Sequence, residues 1–234
     1  MPTSTKSSAA PKKVSRSKPA KPAPKAKAEV TPPESRARSI RNEVGAYKRE
    51  LILRAACETF FEHGYHDTTV DMIADRLSGS KAIFYYNYAD KHAVLEAICK
   101  RALGTAQEVV QRAINSDAAP ASMLRTFARH YAEWVIDNQL MVGVFWREER
   151  SLSDAARAAL AVELKKFDDM VAQIIDRGVA SGDFKVDDVH TTSRAISGMI
   201  SFTYTWWRAG RRLSREDAAD YYAMMALRLV GAPL

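Results

Sequence analysis

The chain has 234 residues, of which 47% are apolar, enough to bury the core of one large or two small domains. It has no run of about 18 uninterrupted apolar residues, so the sequence predicts neither a transmembrane helix nor a membrane partner. Cys57 and Cys99 are too few for a disulfide framework, and both are expected to be small buried side chains of a cytoplasmic protein.

Basic residues are concentrated at the N-terminus. Residues 1–41 contain seven Lys and four Arg against two Glu, a net charge of +9, whereas the whole chain carries +7 and the remainder therefore −2. Because this segment has almost no apolar side chains to bury, residues 1–42 are predicted to be a disordered tail rich in Lys, Ala, Pro and Ser. Two interpretations stay open: an arm that binds DNA phosphates, or a solubilising tail without a selected contact.

Residues 43–91 predict three helices. The first runs from Glu43 to His63, where Gly64 supplies a left-handed stop. Its predicted inner face consists of Leu51, Ile52, Ala55, Ala56, Thr59 and Phe60.

Two shorter helices follow, over residues 70–77 and 81–86. They are separated by the turn Ser78-Gly79-Ser80, and Ser80 is expected to cap the second of them. Phe84 is predicted to face inward. A pair of short helices joined by a three-residue turn indicates a helix-turn-helix, a motif whose second helix enters the DNA major groove.

The phrases AACETFFEHGYHDTTVDMIADRL and SKAIFYYNYADKHAVL resemble the tetracycline-repressor (TetR) family of bacterial transcriptional regulators. The resemblance implies a ligand-responsive, dimeric, DNA-binding repressor associated with the bacterial nucleoid. The predicted fold is all-α, with a three-helix helix-turn-helix DNA-binding domain at residues 43–91. A helical ligand-binding and dimerisation domain follows at residues 92–234.

The resemblance also implies DNA contacts. Thr68 or Thr69 caps the second helix, and Thr69 matches a phosphate-binding position. For Tyr47 and Lys48, solvated side chains on the first turn are an equal alternative, and for Tyr85 and Tyr86 the alternative is packing. By resemblance, base edges are met by Lys81, Ala82, Ile83 and Tyr85, and the DNA backbone by Tyr47, Lys48, Thr69, Tyr86, Asn87 and Lys91.

The chain departs from the family pattern at three positions. The glycine of the turn, Gly79, stands one residue later than usual. Asn87 replaces a common His, and Tyr88 replaces a common Phe. Asn can still bind a phosphate and Tyr can still pack. The shifted Gly79 is therefore the departure that most affects the expected structure, because it changes the geometry of the turn.

The remaining residues show helical patterns throughout. Asp90 is expected to cap a long fourth helix, which in the family moves when ligand binds. Ser153 and Ser214 are expected to cap two of the later helices. The predicted helices of this bundle-like body span residues 120–138, 139–150, 153–182, 187–210 and 214–231.

Large aromatic side chains are unusually frequent in this body. One interpretation is a helical core with a dimer interface, and the other is an apolar ligand pocket between helices. The stretches FWREERSLS and YTWWRAGRRLSREDAA resemble regulators that sense acyl-CoA thioesters, so a small-molecule effector is expected, with an acyl-CoA as one candidate. The candidate ligand-binding residues are Tyr131, Trp134, Trp146, Arg147 and Phe202.

The resemblance implies a homodimer formed through the last two helices. A symmetric dimer presents its recognition helices about one DNA turn apart, roughly 34–36 Å, so the expected partner is double-stranded DNA with an inverted-repeat operator. The candidate interface residues are Trp207, Tyr221, Tyr222, Met225, Leu227 and Leu229.

Enzymatic interpretations find no support in the residue inventory. The five histidines are scattered, and no metal-ligand spacing, Gly-rich phosphate loop or nucleophile motif occurs, so the sequence predicts no enzyme, no cofactor and no metal. One alternative function stays open, a ligand-independent or architectural DNA-binding protein whose affinity comes from the basic tail.

Overall fold

Helices make up all the regular structure in the residues that the computed structural model describes, 33–77 and 81–232, so the predicted all-α fold is confirmed. A 3₁₀ turn, Glu149–Ser151, follows the helix that ends at Glu148. The helices are α1 (Pro33–His63), α2 (Val70–Arg76), α3 (Lys81–Asn87), α4 (Lys91–Ile114), α5 (Pro120–Asp137), α6 (Gln139–Glu148), α7 (Asp154–Ser181), α8 (Val189–Ser201), α9 (Thr203–Trp206) and α10 (Arg215–Leu229).

Helix α1 begins at Pro33 and not at Glu43. The prediction of a disordered tail was therefore wrong for residues 33–42, and for residues 1–32 it lies outside the described residues. Proline suits a first helical turn, where its missing N–H would have no partner, and no Gly or Pro follows before Gly45. Helix propensity, from Glu, Arg and Ala, is enough to extend the helix without apolar side chains to bury.

The three N-terminal helices share a core with the body. Ile52, Phe60, Ile73 and Phe84 are almost completely buried, as predicted for Ile52, Phe60 and Phe84. Leu51, predicted on the inner face of α1, is 40% exposed, because the buried face of the helix turns away from it. Gly64 adopts a φ of 77°, a left-handed conformation that ends α1 as expected.

The helix caps follow the sequence closely. Asp90 caps α4 by accepting a hydrogen bond from the N–H of Ala93 at 2.9 Å. Ser153 caps α7 and Ser214 caps α10 in the same way. Side-chain oxygens in these positions satisfy backbone donors that have no partner inside the helix, so each cap marks the start of its helix.

The single helix predicted for residues 187–210 was wrong. Helix α8 ends at Ser201, the short α9 follows, and Trp207 is extended with a ψ of 137°. Thr and large aromatic residues lose side-chain freedom in a helix, and they dominate this stretch. Gln139 of α6 donates to the freed carbonyl oxygen of Trp207 at 2.9 Å, which stabilises the break.

Helix α5 is central to the body and packs against α4, α7, α8 and α10. Arg215, at the start of α10, donates to both carboxylate oxygens of Asp137 at 2.7 and 2.6 Å, which joins the two helices at one end. Among the described residues, no helix is long and apolar enough to cross a membrane.

Candidate nucleic-acid interface and ligand cavity

Two neighbouring threonines, Thr68 and Thr69, make different hydrogen bonds at the start of α2. Thr69 is exposed, and its Oγ1 accepts from the N–H of Met72 at 3.3 Å, so Thr69 is the cap. Thr68 is buried, and its hydroxyl donates to the carbonyl oxygen of Gly64 at 2.7 Å. Thr69 therefore stands at an accessible helix N-terminus, where an anion would be favoured.

Helix α3 presents a polar and aromatic surface to solvent. Tyr86 is 87% exposed and Tyr85 is 56% exposed. The preceding residue, Phe84, packs in the core and is fully buried. Ala82 is also exposed. Ile83, predicted to contact a base, is half-buried and packs partly against the core, so it offers less surface than the sequence suggested. The turn before α3, with Gly79 and the predicted cap Ser80, lies outside the described residues.

The ammonium group of Lys81 is paired with α2. Its Nζ lies 2.8 Å from Oδ1 of Asp71, and this hydrogen bond raises the pKa of Lys81 above its ordinary value. Both side chains remain more than half exposed. Lys81 therefore carries its charge at the surface of α3, but any DNA contact must compete with Asp71.

Asn87 ends α3 and stabilises it. Its side-chain amide donates to the carbonyl oxygen of Ile83 at 2.8 Å. An amide nitrogen has two N–H bonds, so one donor and the side-chain oxygen remain for another partner. On α1, Tyr47 is 65% exposed and Lys48 is exposed, so both predicted contacts remain accessible.

The side chain of Lys91 is the main correction to the predicted DNA contacts. Its Nζ donates to the carbonyl oxygens of Tyr65 (2.9 Å), His66 (2.9 Å) and Thr68 (2.8 Å), and it lies 4.7 Å from the centre of the Tyr65 ring. An ammonium group has three donors, and all three are used. Lys91 therefore joins α4 to the loop before α2, and its side chain is not available to a phosphate.

Helices α4 to α8 line a cavity of about 300 Å³ that is partly open to solvent. Tyr131, Trp134 and Trp146 line it, as predicted from the sequence. This volume is at the lower end of the range known for small-molecule sites. The other apolar lining residues are Ala102, Leu103, Ala106, Val142, Phe145, Leu164 and Phe167.

The polar groups of the cavity come mainly from α8. Ser201 and Tyr131 share a hydrogen bond of 2.7 Å between their hydroxyl oxygens, and burial raises the pKa of Tyr131 to about 12. Arg194 donates to Asp168 of α7 at 3.1 Å. Within the described residues, the buried hydroxyl of Ser197 has no hydrogen-bond partner. An apolar cavity with a few such polar groups is typical of a ligand site.

Two family models match this chain. One, for bacterial regulatory proteins of the tetR family, matches residues 52–98, and the other, for the tetracyclin repressor-like C-terminal domain, matches residues 117–230. The chain belongs to the TetR family. The first match covers the helix-turn-helix and the second covers most of the body, so the resemblance found in the sequence is confirmed.

Known TetR-family proteins are similar over most of their length. The transcriptional repressor KstR2 of Mycolicibacterium smegmatis is 24% identical over 184 residues, 78% of this chain and 90% of KstR2. A tetR-family regulatory protein from Rhodococcus RHA1 has a TM-score of 0.74 and 28% identity, covering 80% and 98% of the two chains. AibR, solved with isovaleryl coenzyme A and operator DNA, shares the fold with a TM-score of 0.69, 24% identity and coverage of 80% and 100%.

Two of the predicted ligand residues lie away from the cavity. The guanidinium of Arg147 lies 5.2 Å from the centre of the Phe61 ring on α1, and Phe202 is 62% exposed. Residues at neighbouring positions on a helix point to different sides, and α6 turns Trp146 toward the cavity but Arg147 toward α1.

The sequence interpretation missed four polar residues of the cavity, Asp168, Arg194, Ser197 and Ser201. On α8, the spacing of Arg194, Ser197 and Ser201 places these side chains on one helix face, a pattern that could have been read from the sequence. The pairing of Arg194 with Asp168 could not be read from the sequence, because the two residues are far apart in the chain. In the described part of the chain, no group of three His, Cys, Asp or Glu side chains is placed to hold a metal ion.

Proposed function

We propose that the protein is a dimeric, sequence-specific transcriptional repressor that is released from a palindromic operator by a small hydrophobic or acyl-CoA-type ligand. The observation that carries the proposal is the surface of α3, where Lys81, Tyr85 and Tyr86 are exposed on a helix fixed by the buried Phe84. A rigid helix with exposed polar side chains suits insertion into the major groove.

Each proposed DNA contact has a role set by its chemistry. Lys81 donates to a guanine, and Tyr85 and Ala82 contribute to the fit against base edges. Ile83 makes at most an apolar contact with its exposed part. The remaining residues of the proposed interface, Tyr47, Lys48, Thr69, Tyr86 and Asn87, bind phosphates and fix the register of the head on the duplex.

The proposed homodimer uses the outer faces of α8 and α10. Tyr222 and Leu227, expected at the interface, are buried within the chain instead, because α10 packs closely on α5. Tyr221 and Leu229 are exposed on α10, at 51% and 44%. Exposed aromatic and aliphatic side chains suit a subunit interface.

The effector is proposed to bind the cavity between α4 and α8. Its apolar walls and the polar groups of Ser197 and Arg194 suit a molecule with an apolar body and a polar end. The neighbour of similar fold that was solved with isovaleryl coenzyme A supports an acyl-CoA as the class of ligand. The protein is therefore proposed to bind such a molecule without transforming it.

Helix α6 provides a route from the cavity to the DNA-binding head. Phe145 and Trp146 line the cavity, while Gly143 of the same helix approaches Phe61 of α1 so closely that a Cβ would lie 3.0 Å from the ring. Arg147 lies over the same ring. A ligand that shifts α6 therefore bears directly on α1, and the packed contact leaves little room to absorb the shift.

The proposal is tested by selecting bound sequences from random duplex DNA with the full-length protein, then measuring affinity with and without acyl-CoAs. We expect one inverted repeat to be enriched and acyl-CoA to weaken its binding. A matched variant, Phe84→Ala, removes the core contact of α3 and should abolish the preference. Near-uniform binding to every duplex, lost at moderate salt, would contradict the proposal and favour the architectural alternative.

A further inference from the structure

A second cavity of about 360 Å³ lies between α4 and α7, next to the first. Leu103 lines both cavities, so its side chain forms part of the boundary between them. On α7, Leu160 lines the second cavity and Leu164, one turn further on, lines the first. The two cavities therefore follow one another along the same pair of helices.

Gly104 is the residue that most directly indicates that the second cavity is kept open for a bound molecule. It lies inside α4, where glycine is less favourable than alanine. Its backbone is not in the left-handed region, and apart from its two chain neighbours and the adjacent backbone of α4, no described atom lies within 4 Å of a Cβ built on it. Neither turn geometry nor close packing requires a glycine here. The space that a side chain would fill is space in the cavity.

The second cavity has an apolar floor and a rim of mixed charge. Its floor includes the buried side chains of Cys99, Leu103 and Leu160. Two carboxylates, Glu96 and Glu163, and the ammonium group of Lys100 line its edge. The excess of negative charge disfavours a polyanion such as a nucleotide phosphate, whereas an aliphatic chain would bury apolar surface there.

The first cavity supplies the complementary end. Arg194 is the cationic residue of its lining, and Ser197 beside it has a hydroxyl without a partner among the described residues. Arg194 is 66% exposed and uses its Nε to donate to Asp168 at 3.1 Å, so a head group would meet its other guanidinium N–H groups beside the carboxylate. Guanidinium N–H groups with a nearby hydroxyl suit an anionic or strongly polar head group. Arg194 lines the first cavity only, whereas the cationic group of the second cavity, Lys100, lies at its edge with two carboxylates.

We propose that the effector is an elongated amphiphile that occupies both cavities, with its anionic head group near Arg194 and a long aliphatic chain that passes Leu103 into the second cavity. This inference rests on the proposed function and specifies its ligand. A chain of only a few carbons would fill the first cavity alone. Long-chain acyl-CoA thioesters and long-chain free fatty acids share this chemistry.

The second cavity binds the chain without reacting with it. Cys99 is the nucleophile in its lining, and burial raises the pKa of that thiol to about 12. Attack on a thioester requires a thiolate, so the thiol stays protonated and inert near neutral pH. The second cavity therefore sets how strongly the affinity of the effector depends on the length of its chain.

The test measures binding of butyryl-, octanoyl-, lauroyl- and palmitoyl-coenzyme A, and of the matching free fatty acids, to the full-length protein by titration calorimetry. For the wild type, affinity should rise with chain length, by up to about fourfold per buried methylene group. Gly104→Leu fills the second cavity and should lower the affinity for the palmitoyl chain at least tenfold, with little effect on butyryl. Gly104→Ala keeps the space open and serves as the control.

A second variant, Ala156→Leu on α7, fills the same cavity from the opposite wall and should repeat the result, even if Gly104→Leu folds poorly. The comparison of thioesters with free acids shows which head group binds, and either result supports the inference. An unchanged dependence on chain length in both variants would overturn the inference while leaving the proposed release by ligand intact. If no compound of either series bound the wild type, both this inference and the proposed class of effector would be wrong.

Discussion

The ammonium group of Lys91, at the first position of α4, lies 2.8 Å from the carbonyl oxygen of Thr68, just before α2. The sequence assigned Lys91 to DNA, but the fold uses it to hold the loop between α1 and α2 against α4. Because α4 also lines both cavities, this contact lies between the cavities and the helix-turn-helix.

Replacing Lys91 should loosen the DNA-binding head without removing a phosphate contact. We expect Lys91→Met to lower the free energy of unfolding by about 1–2 kcal/mol, since hydrogen bonds from a charged group are lost. The slope of log Kd against log salt should stay at the wild-type value. Thermal unfolding and DNA binding at several salt concentrations measure both quantities.

Lys48→Met is the matched control for that experiment, because Lys48 is exposed and proposed to bind a phosphate. It should leave stability nearly unchanged and reduce the salt slope by about one. An equal loss of slope in Lys91→Met would show that Lys91 does reach the DNA.

Removing Asp71 should strengthen operator binding. Asp71→Asn frees Lys81 from its 2.8 Å contact and removes a negative charge close to the proposed DNA surface. We expect affinity to rise several-fold, and the gain to be smaller in a Lys81→Met background. Lys81→Met alone should weaken binding about tenfold and relax the preference at one base pair. A gain of the same size in both backgrounds would mean that Lys81 and Asp71 act independently.

Two serines of α8 should respond to substitution in opposite directions. Ser197→Ala removes a buried hydroxyl that has no partner in the described structure, and alanine favours the helix, so stability should rise by about 0.5–1 kcal/mol. Ser201→Ala leaves the buried hydroxyl of Tyr131 without its partner and should cost about 1–3 kcal/mol. Urea unfolding of both variants tests the pair. Equal changes would argue against this hydrogen-bond assignment.

A charge on the outer face of α10 should separate the proposed dimer. Tyr221 is half exposed, and Tyr221→Asp would place a carboxylate in an apolar subunit interface. Sedimentation velocity should then show a monomer, with loss of binding to a two-site operator but not of the fold. Val162→Asp on α7, where Val162 is 66% exposed, is the control and should remain a dimer. A monomeric wild type would contradict the proposed assembly outright.

Local chemistry made much of the fold predictable. Asp90, Ser153 and Ser214 cap helices where the sequence placed them, because a cap depends on a few consecutive residues. The buried Phe84 and the left-handed Gly64 followed from helical spacing and from the conformational freedom of glycine. The early start of α1 and the break after α8 were missed, since both depend on a balance of small propensities that no single residue decides.

The sequence by itself determined the all-α class, the helix-turn-helix and the family, because these follow from apolar periodicity, caps and a contiguous motif. Only the tertiary structure decided which side chains surround the cavities. Arg147 was predicted to bind the ligand and Arg194 was missed, yet packing of α6 turns Arg147 onto Phe61, while α8 places Arg194 in the cavity lining beside Asp168. The tertiary structure also decided the role of Lys91, since its three carbonyl partners come together only when α1, α2 and α4 have packed.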